Sequence, residues 1–262
     1  MAIQPLSKEE KRDAYKLAWS YGHKLGLSML WWQLQGNVKV HGFERALDAV
    51  EHGNCMIVWN HVSVPDDFFL NALFYRPWSK RSYLYDERYI IYSMPDRRIL
   101  DACQMTEERS KRLRCILVDR SDPNVGARGL IMARKVLRGG RTISGHPEEG
   151  RTGGLSNINK PLIPLGNRCI REISASMLLI ANKETTFVPL YCTAPHIDEM
   201  SGEWENSVRE PIRRIKGKAG QRYLPVEFNF GETFKLPSDF NYKDEEIREK
   251  VRRYIQERIL RA

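Results

Sequence analysis

The segment WNHVSVPDDFF, Trp59–Phe69, sets an imidazole and a carboxylate five residues apart, where a buried strand gives way to a helix expected to begin about Pro65. On one continuous helix His61 and Asp66 would be turned about 140° from each other and would face apart. A strand ending at Asn60-His61 removes that obstacle, leaving the ring at a strand's carboxyl end and bringing Asp66 back from the first helical turn. Such a pair makes a general base. The carboxylate fixes the tautomer and stabilises the imidazolium formed when the other ring nitrogen takes a proton from a hydroxyl, and no serine nucleophile is required. Taken alone, the spacing fits a surface histidine beside a helix N-cap acid about as well.

Two more segments stand where strands end. RSDP, Arg120–Pro123, follows a strand ending at Asp119, and HPEEGRTGG, His146–Gly154, follows a strand starting near Arg141. Both suit phosphate: an arginine fork gives two parallel hydrogen bonds to phosphate oxygens, and a glycine-rich turn lets backbone N–H groups approach an anion. Without their order along the chain, Arg120 is equally a solvated charge. Glu149 is equally a helix cap or a lysine's partner, and Gly150, Gly153 and Gly154 are equally turn formers. The six histidines show neither H-x-H nor H-E-x-x-H spacing, so no metal is expected. Cys55, Cys103, Cys115, Cys169 and Cys192 include no C-x-x-C pair, and are read as reduced thiols of a cytosolic protein.

The elements that must position these groups read as α/β. Short apolar runs alternate with helical or polar stretches: Cys55–Trp59, Tyr83–Tyr85, Cys115–Asp119, Arg141–Gly145 and Thr186–Cys192. Val125–Leu137 has helical spacing and is closed by Gly139-Gly140, giving strand, crossover helix, strand. Val226–Phe234 alternates as a half-buried strand. Asp239–Leu260 is expected as a final helix with acids first, Arg258 and Arg261 last, and a stripe of Ile247, Val251, Tyr254, Ile255 and Ile259. Lys8–Gln35 is proline-free and amphipathic, with Trp31 and Trp32 about 100° apart on a helix, so that either both cap a core or one of them sits at a lipid interface. The expected architecture is a single α/β domain, a mixed β-sheet flanked by helices. It has an N-terminal amphipathic helical arm (1–36), an α/β catalytic core (37–236) and a C-terminal helix (237–262).

Composition sets the outer limits. With 262 residues, 42% of them hydrophobic, the chain can bury a sizeable core, and no compositional bias supports a collagen-like, mucin-like or disordered reading. Met1–Glu10 is polar and unlike a secretory leader, and the apolar stretch Leu25–Leu34 is about half the roughly 20 residues needed to span the hydrocarbon. The net charge of +9 favours anionic partners. The clusters RSKRLR, Arg109–Arg114, and Arg209, Arg213, Arg214, Lys216, Lys218 and Arg222 suit an anionic membrane leaflet or a solvated face. No nucleic acid is expected as partner, because no zinc-finger, RNA-recognition or homeodomain pattern accompanies the charge.

The order NHVSVPD, VDR, PEEGRT, FVPL resembles that of the glycerolipid acyltransferase family, whose best-known members are 1-acylglycerol-3-phosphate acyltransferases. The likeness runs from about Val38, in VKVHGFERAL, to Thr233 in FGET. It implies transfer of a fatty acyl group from a thioester donor, acyl-CoA or acyl carrier protein as co-substrate with no other cofactor, to the free hydroxyl of a lysophosphatidic-acid-like acceptor. It makes His61 and Asp66 catalytic and assigns Arg120, Glu149, Gly150 and Arg151 to the acceptor's phosphate. Asn60 and Pro189 match further motif positions. The implied place is cytoplasmic, peripheral to the inner face of a membrane. Other acceptors (glycerol-3-phosphate, another lysophospholipid or an amino-lipid), or a non-catalytic membrane-binding protein of the same fold, remain open alternatives.

Departures from the family pattern fall in the third motif. Where relatives read like FPEGTRS, this chain has His146 for the aromatic residue, an additional glutamate and arginine before threonine, so either Glu148 or Glu149 fills the glutamate's place. The Glu149-Gly150 pairing favours Glu149. Where relatives often carry a lysine-glycine pair, this chain has only Lys160 and then PLGNR, Pro164–Arg168, so the lysine is either missing or replaced by Arg168.

Overall fold

The computed structural model describes residues 38–61, 70–71, 73–74, 89–97, 101, 106–112, 114–119, 121–148, 160–193 and 226–262. The expected N-terminal arm, the helix start near Pro65 and the run Tyr83–Tyr85 lie outside the described residues. In chain order the elements are β1 (Val38–His41), α1 (Phe43–His52), β2 (Cys55–Trp59), β3 (Ile91–Tyr92), α2 (Glu107–Arg112) and α3 (Pro123–Arg138). Then come β4 (Thr142–Gly145), β5 (Leu162–Leu165), β6 (Arg168–Arg171), a 3-10 turn (Ala175–Leu179), β7 (Thr186–Thr193), β8 (Val226–Phe230), β9 (Phe234–Lys235) and α4 (Glu245–Arg261).

The main sheet runs β1-β8-β7-β2-β4-β3, with β9 also on β7. β2 lies parallel to both β4 and β7, β3 parallel to β4 and β1 parallel to β8, while β8 and β9 run antiparallel to β7. The sheet is mixed, as expected. β5 and β6 form a separate antiparallel hairpin, turned at Gly166 with φ +61°, where a side chain would be strained.

The uninterrupted apolar run of β2 reflects cover on both faces. Cys55, Ile57 and Trp59 join α1, Phe74, Val188, Leu190 and Phe228 in one cluster. Met56 and Val58 join α3, Ile143, Phe187 and α4 in the other. α3 begins as a helix should: the Asp122 side chain accepts from the N–H groups of Asn124 and Val125, and Pro123 takes the first turn. α1 has no side-chain cap. The chain turns into it at Gly42, at φ +66°, with the Phe230 carbonyl oxygen occupying the place a Cβ would need, so only glycine fits.

Three expectations need adjustment. Cys115–Asp119 pairs with the chain after β3 by two parallel bridges, Ser93 to Cys115 and Asp96 to Val118, without forming a regular strand. The expected strand Val226–Phe234 is split into β8 and β9 with a one-residue change of register between them, since Leu190 faces Phe230 but Phe187 faces Phe234. The last helix starts six residues later than Asp239, because Asp244 is the residue whose side chain caps it, accepting from Ile247 N–H at 3.0 Å.

α4 is tied down by charge as well as by its stripe. Arg252, its side chain 12% exposed, bonds both Glu249 oxygens, lies 3.0 Å from Glu172 and donates to the Ile173 carbonyl. The Arg252 guanidinium, helped by Arg253 against the opposing effect of burial, holds the Glu249 carboxyl down to about 2. A depressed carboxyl contributes stability that is fully present above the ordinary glutamate range and is lost as pH falls through about 2. Glu249→Gln is therefore expected to remove part of the acid limb of a pH-stability curve in that window and to leave its neutral-to-alkaline shape unchanged, as read by helical circular dichroism. Among the described residues, no helix is long and apolar enough to cross a membrane.

Candidate active site

The register of β2 and β4 builds the site. Val58 stands opposite Gly145, so the segments beyond that pair, Trp59-Asn60-His61, of which Trp59 is the last residue of β2, and His146-Pro147-Glu148, run side by side at the sheet's carboxyl edge. This is where a parallel sheet opens a crevice. His61 is half-buried there, and its ring stacks on that of His146, with centroids 4.0 Å apart and planes 20° apart. His146 in turn lies 4.6 Å from the fully buried indole of Trp59. His146 thus packs against both rings, so the histidine that replaces an aromatic residue still does an aromatic residue's packing.

Glu148 is fully buried. Its Oε1 accepts from the His61 N–H at 2.9 Å and its Oε2 from the Arg171 N–H at 2.8 Å. Lys160 Nζ donates to the Glu148 carbonyl at 2.9 Å, and the Arg171 guanidinium donates to the Lys160 carbonyl at 2.7 Å. The N–H of Ser174 bonds the Pro147 carbonyl at 2.7 Å. The end of β6 and the end of β2 thus meet on one carboxylate. Burial raises the Tyr191 phenol above its ordinary value, with the Glu148 charge a lesser contribution.

Asn60, 1% exposed, locks the other side of the turn. Its side-chain amide donates to the Cys192 carbonyl at 2.8 Å and accepts from the Cys192 N–H at 2.7 Å, a two-bond clasp between β2 and β7. Pro189 lies deeper in the sheet, opposite Val58, with its carbonyl accepting from Gly231 N–H at 2.9 Å. A proline is tolerated in this central strand because its missing N–H falls where β8 and β9 change register. Asp119 Oδ1 gathers the Ser121 hydroxyl at 2.5 Å, the Ser121 N–H at 2.9 Å and the Asp122 N–H at 3.2 Å. Those bonds, the Ser121 hydroxyl first, hold the Asp119 carboxyl below its ordinary value.

Residues 37–193 match the family described as Acyltransferase, more than half of the chain. The chain is a member of that acyltransferase family. Among solved structures, the 1-acyl-sn-glycerophosphate (LPA) acyltransferase PlsC from Thermotoga maritima matches with a TM-score of 0.54 and 16% identity, over 94% of this chain and 78% of that one. At that identity the likeness is one of fold, and the mixed sheet flanked by helices is PlsC-like. Comparison with curated proteins gave no match.

Of the site residues of this acyltransferase expected from sequence, Asn60, His61 and Pro189 are placed as above, whereas Asp66, Arg120, Glu149, Gly150 and Arg151 lie outside the described residues. Arg168, which the sequence offered in place of the lysine, is engaged at the end of α4. Its guanidinium donates to the Leu260 carbonyl at 3.1 Å and to the Ala262 carbonyl, and stacks 4.7 Å over the Tyr191 ring, closing the end of α4. Residues whose part in the site the sequence left open or overlooked are Glu148, His146, Asp119 and Arg171. The one signal for Glu148 was the Pro-Glu step in HPEEG. Among the described residues, no group of three His, Cys, Asp or Glu side chains could hold a metal ion. Burial drives the Cys55 thiol well above its ordinary value, so it is no nucleophile.

Proposed function

We propose that this acyltransferase moves a fatty acyl group from a thioester donor, acyl-CoA or acyl carrier protein, to the free hydroxyl of a lysophosphatidic-acid-like glycerolipid, in phospholipid synthesis at the inner face of a membrane. The observation that carries the reading is His61. It is a half-buried imidazole at the carboxyl edge of β2, in the segment that matches the family and beside the third-motif residues His146 and Glu148. The similar fold of PlsC, itself a 1-acyl-sn-glycerophosphate acyltransferase, supports the choice of acceptor.

In this reading Asp66 orients His61, and His61 takes the proton of the acceptor hydroxyl as the oxygen attacks the thioester carbonyl. A carbon–oxygen bond forms, the tetrahedral oxyanion collapses, the carbon–sulfur bond breaks, and the thiolate leaves with the proton returned from the imidazolium. Arg120 and Arg151, with Glu149 and Gly150 shaping the turn, receive the acceptor's phosphate. Asp119, by gathering the N–H groups of Ser121 and Asp122, steadies the chain on both sides of position 120.

Mass-spectrometric measurement of ester products from acyl-CoA and acyl carrier protein donors, each offered against lysophosphatidic acid, glycerol-3-phosphate, other lysophospholipids and a monoacylglycerol, tests the reading. Phosphate-bearing lyso-acceptors are expected to be acylated and the monoacylglycerol to be a poor acceptor; equal rates for both contradict it. Arg120→Ala is expected to weaken acceptor binding by about 1.5 to 3 kcal/mol, the scale of a hydrogen bond to a charged group, with the donor's KM unchanged. An unaltered acceptor KM removes Arg120 from the phosphate site.

A further inference from the structure

We propose that Glu148 is a positioning residue for the His61 base, its buried carboxylate clamping the main chain of His61 to that of Arg171, and that it does not bind the acceptor's phosphate. The inference rests on the reading of His61 as the base and deepens it.

The geometry turns this carboxylate to the main chain. It is 0% exposed, and each oxygen is engaged by a backbone N–H, from His61 at 2.9 Å and from Arg171 at 2.8 Å. An ionised carboxylate has no proton to donate, so it offers a phosphate no hydrogen bond and repels its charge. Two amide donors favour its ionised form, while its burial opposes that form, and the donors act at hydrogen-bond distance on both oxygens. That form has two consequences for His61. The first is mechanical: the histidine sits one residue past Asn60, which is clasped to Cys192, and its own N–H is fixed to Glu148, so the backbone that aims the ring is held from both sides. The second is electrostatic: a buried negative charge next to the residue's main chain favours the imidazolium that a general base must become. The other described groups around the ring are His146, stacked on it at 4.0 Å, and behind Glu148 the cations of Lys160 and Arg171 together with Tyr191. Asp66 lies outside the described residues. The β5–β6 hairpin becomes a buttress, since Arg171 ends β6 and Glu172 N–H bonds the Pro161 carbonyl. The doubled glutamate then divides its duties: Glu148, directly after proline, holds the base, and Glu149, directly before glycine, is left for the turn around the acceptor.

The test compares Glu148→Gln, Glu148→Asp and His61→Ala with the unaltered chain, by steady-state kinetics over a range of pH with lysophosphatidic acid and an acyl-CoA. Glutamine keeps the size but its NH2 cannot accept from an N–H, so kcat is expected to fall about 10- to 100-fold with the acceptor KM within about threefold. Its acid limb of kcat/KM should move to lower pH by roughly half a unit to one unit, because removing the negative charge makes the imidazolium harder to form. Aspartate keeps the charge but shortens the reach by one methylene, so kcat should fall with the acid limb nearly unmoved. A rise in acceptor KM at unchanged kcat in these variants overturns the proposal and makes Glu148 a ligand-binding residue. Should a variant fail to fold by circular dichroism, hydrogen exchange on the unaltered chain decides: the His61 and Arg171 amides are expected to be protected, and a His61 amide exchanging as freely as an exposed one overturns the clamp. An active His61→Ala protein would remove the base reading itself, whereas an inactive one beside KM-only Glu148 variants would remove the clamp alone.

Discussion

Exchanging His61 for alanine is expected to lower turnover by about 10²- to 10⁴-fold, the usual worth of a positioned general base. The fold should survive it. The ring is half-buried at a strand's end, and the contact that holds the turn, the N–H donated to Glu148, belongs to the backbone and remains in the variant. The packing lost includes the stack on His146, at 4.0 Å between centroids, while His146 retains its contact with Trp59 at 4.6 Å. Initial rates of ester formation with saturating donor, paired with a thermal melt, separate the two effects. Near-normal rates in a folded protein would remove His61 from the chemistry, and a collapsed melt with a proportional loss of rate would make its role one of packing.

Asn60→Ala is the change expected to cost most stability for the fewest atoms. The side chain is 1% exposed and makes both of its bonds to one residue of the neighbouring strand, the N–H and carbonyl of Cys192. Alanine takes the Asn60 partner away from both backbone groups in a buried place, and each group left unsatisfied costs about 1 to 3 kcal/mol, so a loss of roughly 2 to 6 kcal/mol is expected. Asn60→Asp restores the acceptor but not the donor and adds a buried charge, so it should be no better. Urea denaturation checks both variants. Because the clasp lies one residue before His61, the folded fraction of Asn60→Ala should also turn over more slowly. A loss of less than about 0.5 kcal/mol, the usual effect of a surface substitution, would show that the clasp is not made.

The strands that flank the site were legible for a physical reason. β2 reads as CMIVW because both sheet faces are covered, so that no polar residue interrupts it. α3 was legible from its spacing, its first-turn proline and its closing glycines. Other elements carry weaker signals. The β5–β6 hairpin contains Pro164 and exposes Leu162 and Leu165, so its composition resembles a loop, and only the pairing of Leu162 with Arg171 through Leu165 with Arg168 makes it a hairpin. α1 lacks a side-chain cap because Gly42 leads into it in a left-handed turn under Phe230. β8 and β9 look like one alternating strand, because Phe228, Phe230 and Phe234 keep a period of two, whereas the one-residue change of register turns Phe234 away from the cluster of Phe228 and Phe230 and onto the other face. At the site, the histidine and its flanking asparagine were visible as types at a strand's end. Which glutamate faces inward was not, because that follows from Val58 standing opposite Gly145, a long-range register that local spacing does not encode. Likewise Arg168 reads as a free cation until the end of α4 is brought against it.

A His61 that activates an acceptor hydroxyl for attack on a thioester ties release of free thiol from an acyl-CoA or acyl carrier protein to the presence of lysophosphatidic acid, and thiol release with and without that acceptor measures the link. One thiol per ester formed, almost none in the absence of acceptor and almost none from His61→Ala is the predicted result. Thiol released as fast without acceptor as with it, water having taken the hydroxyl's place, would contradict the account.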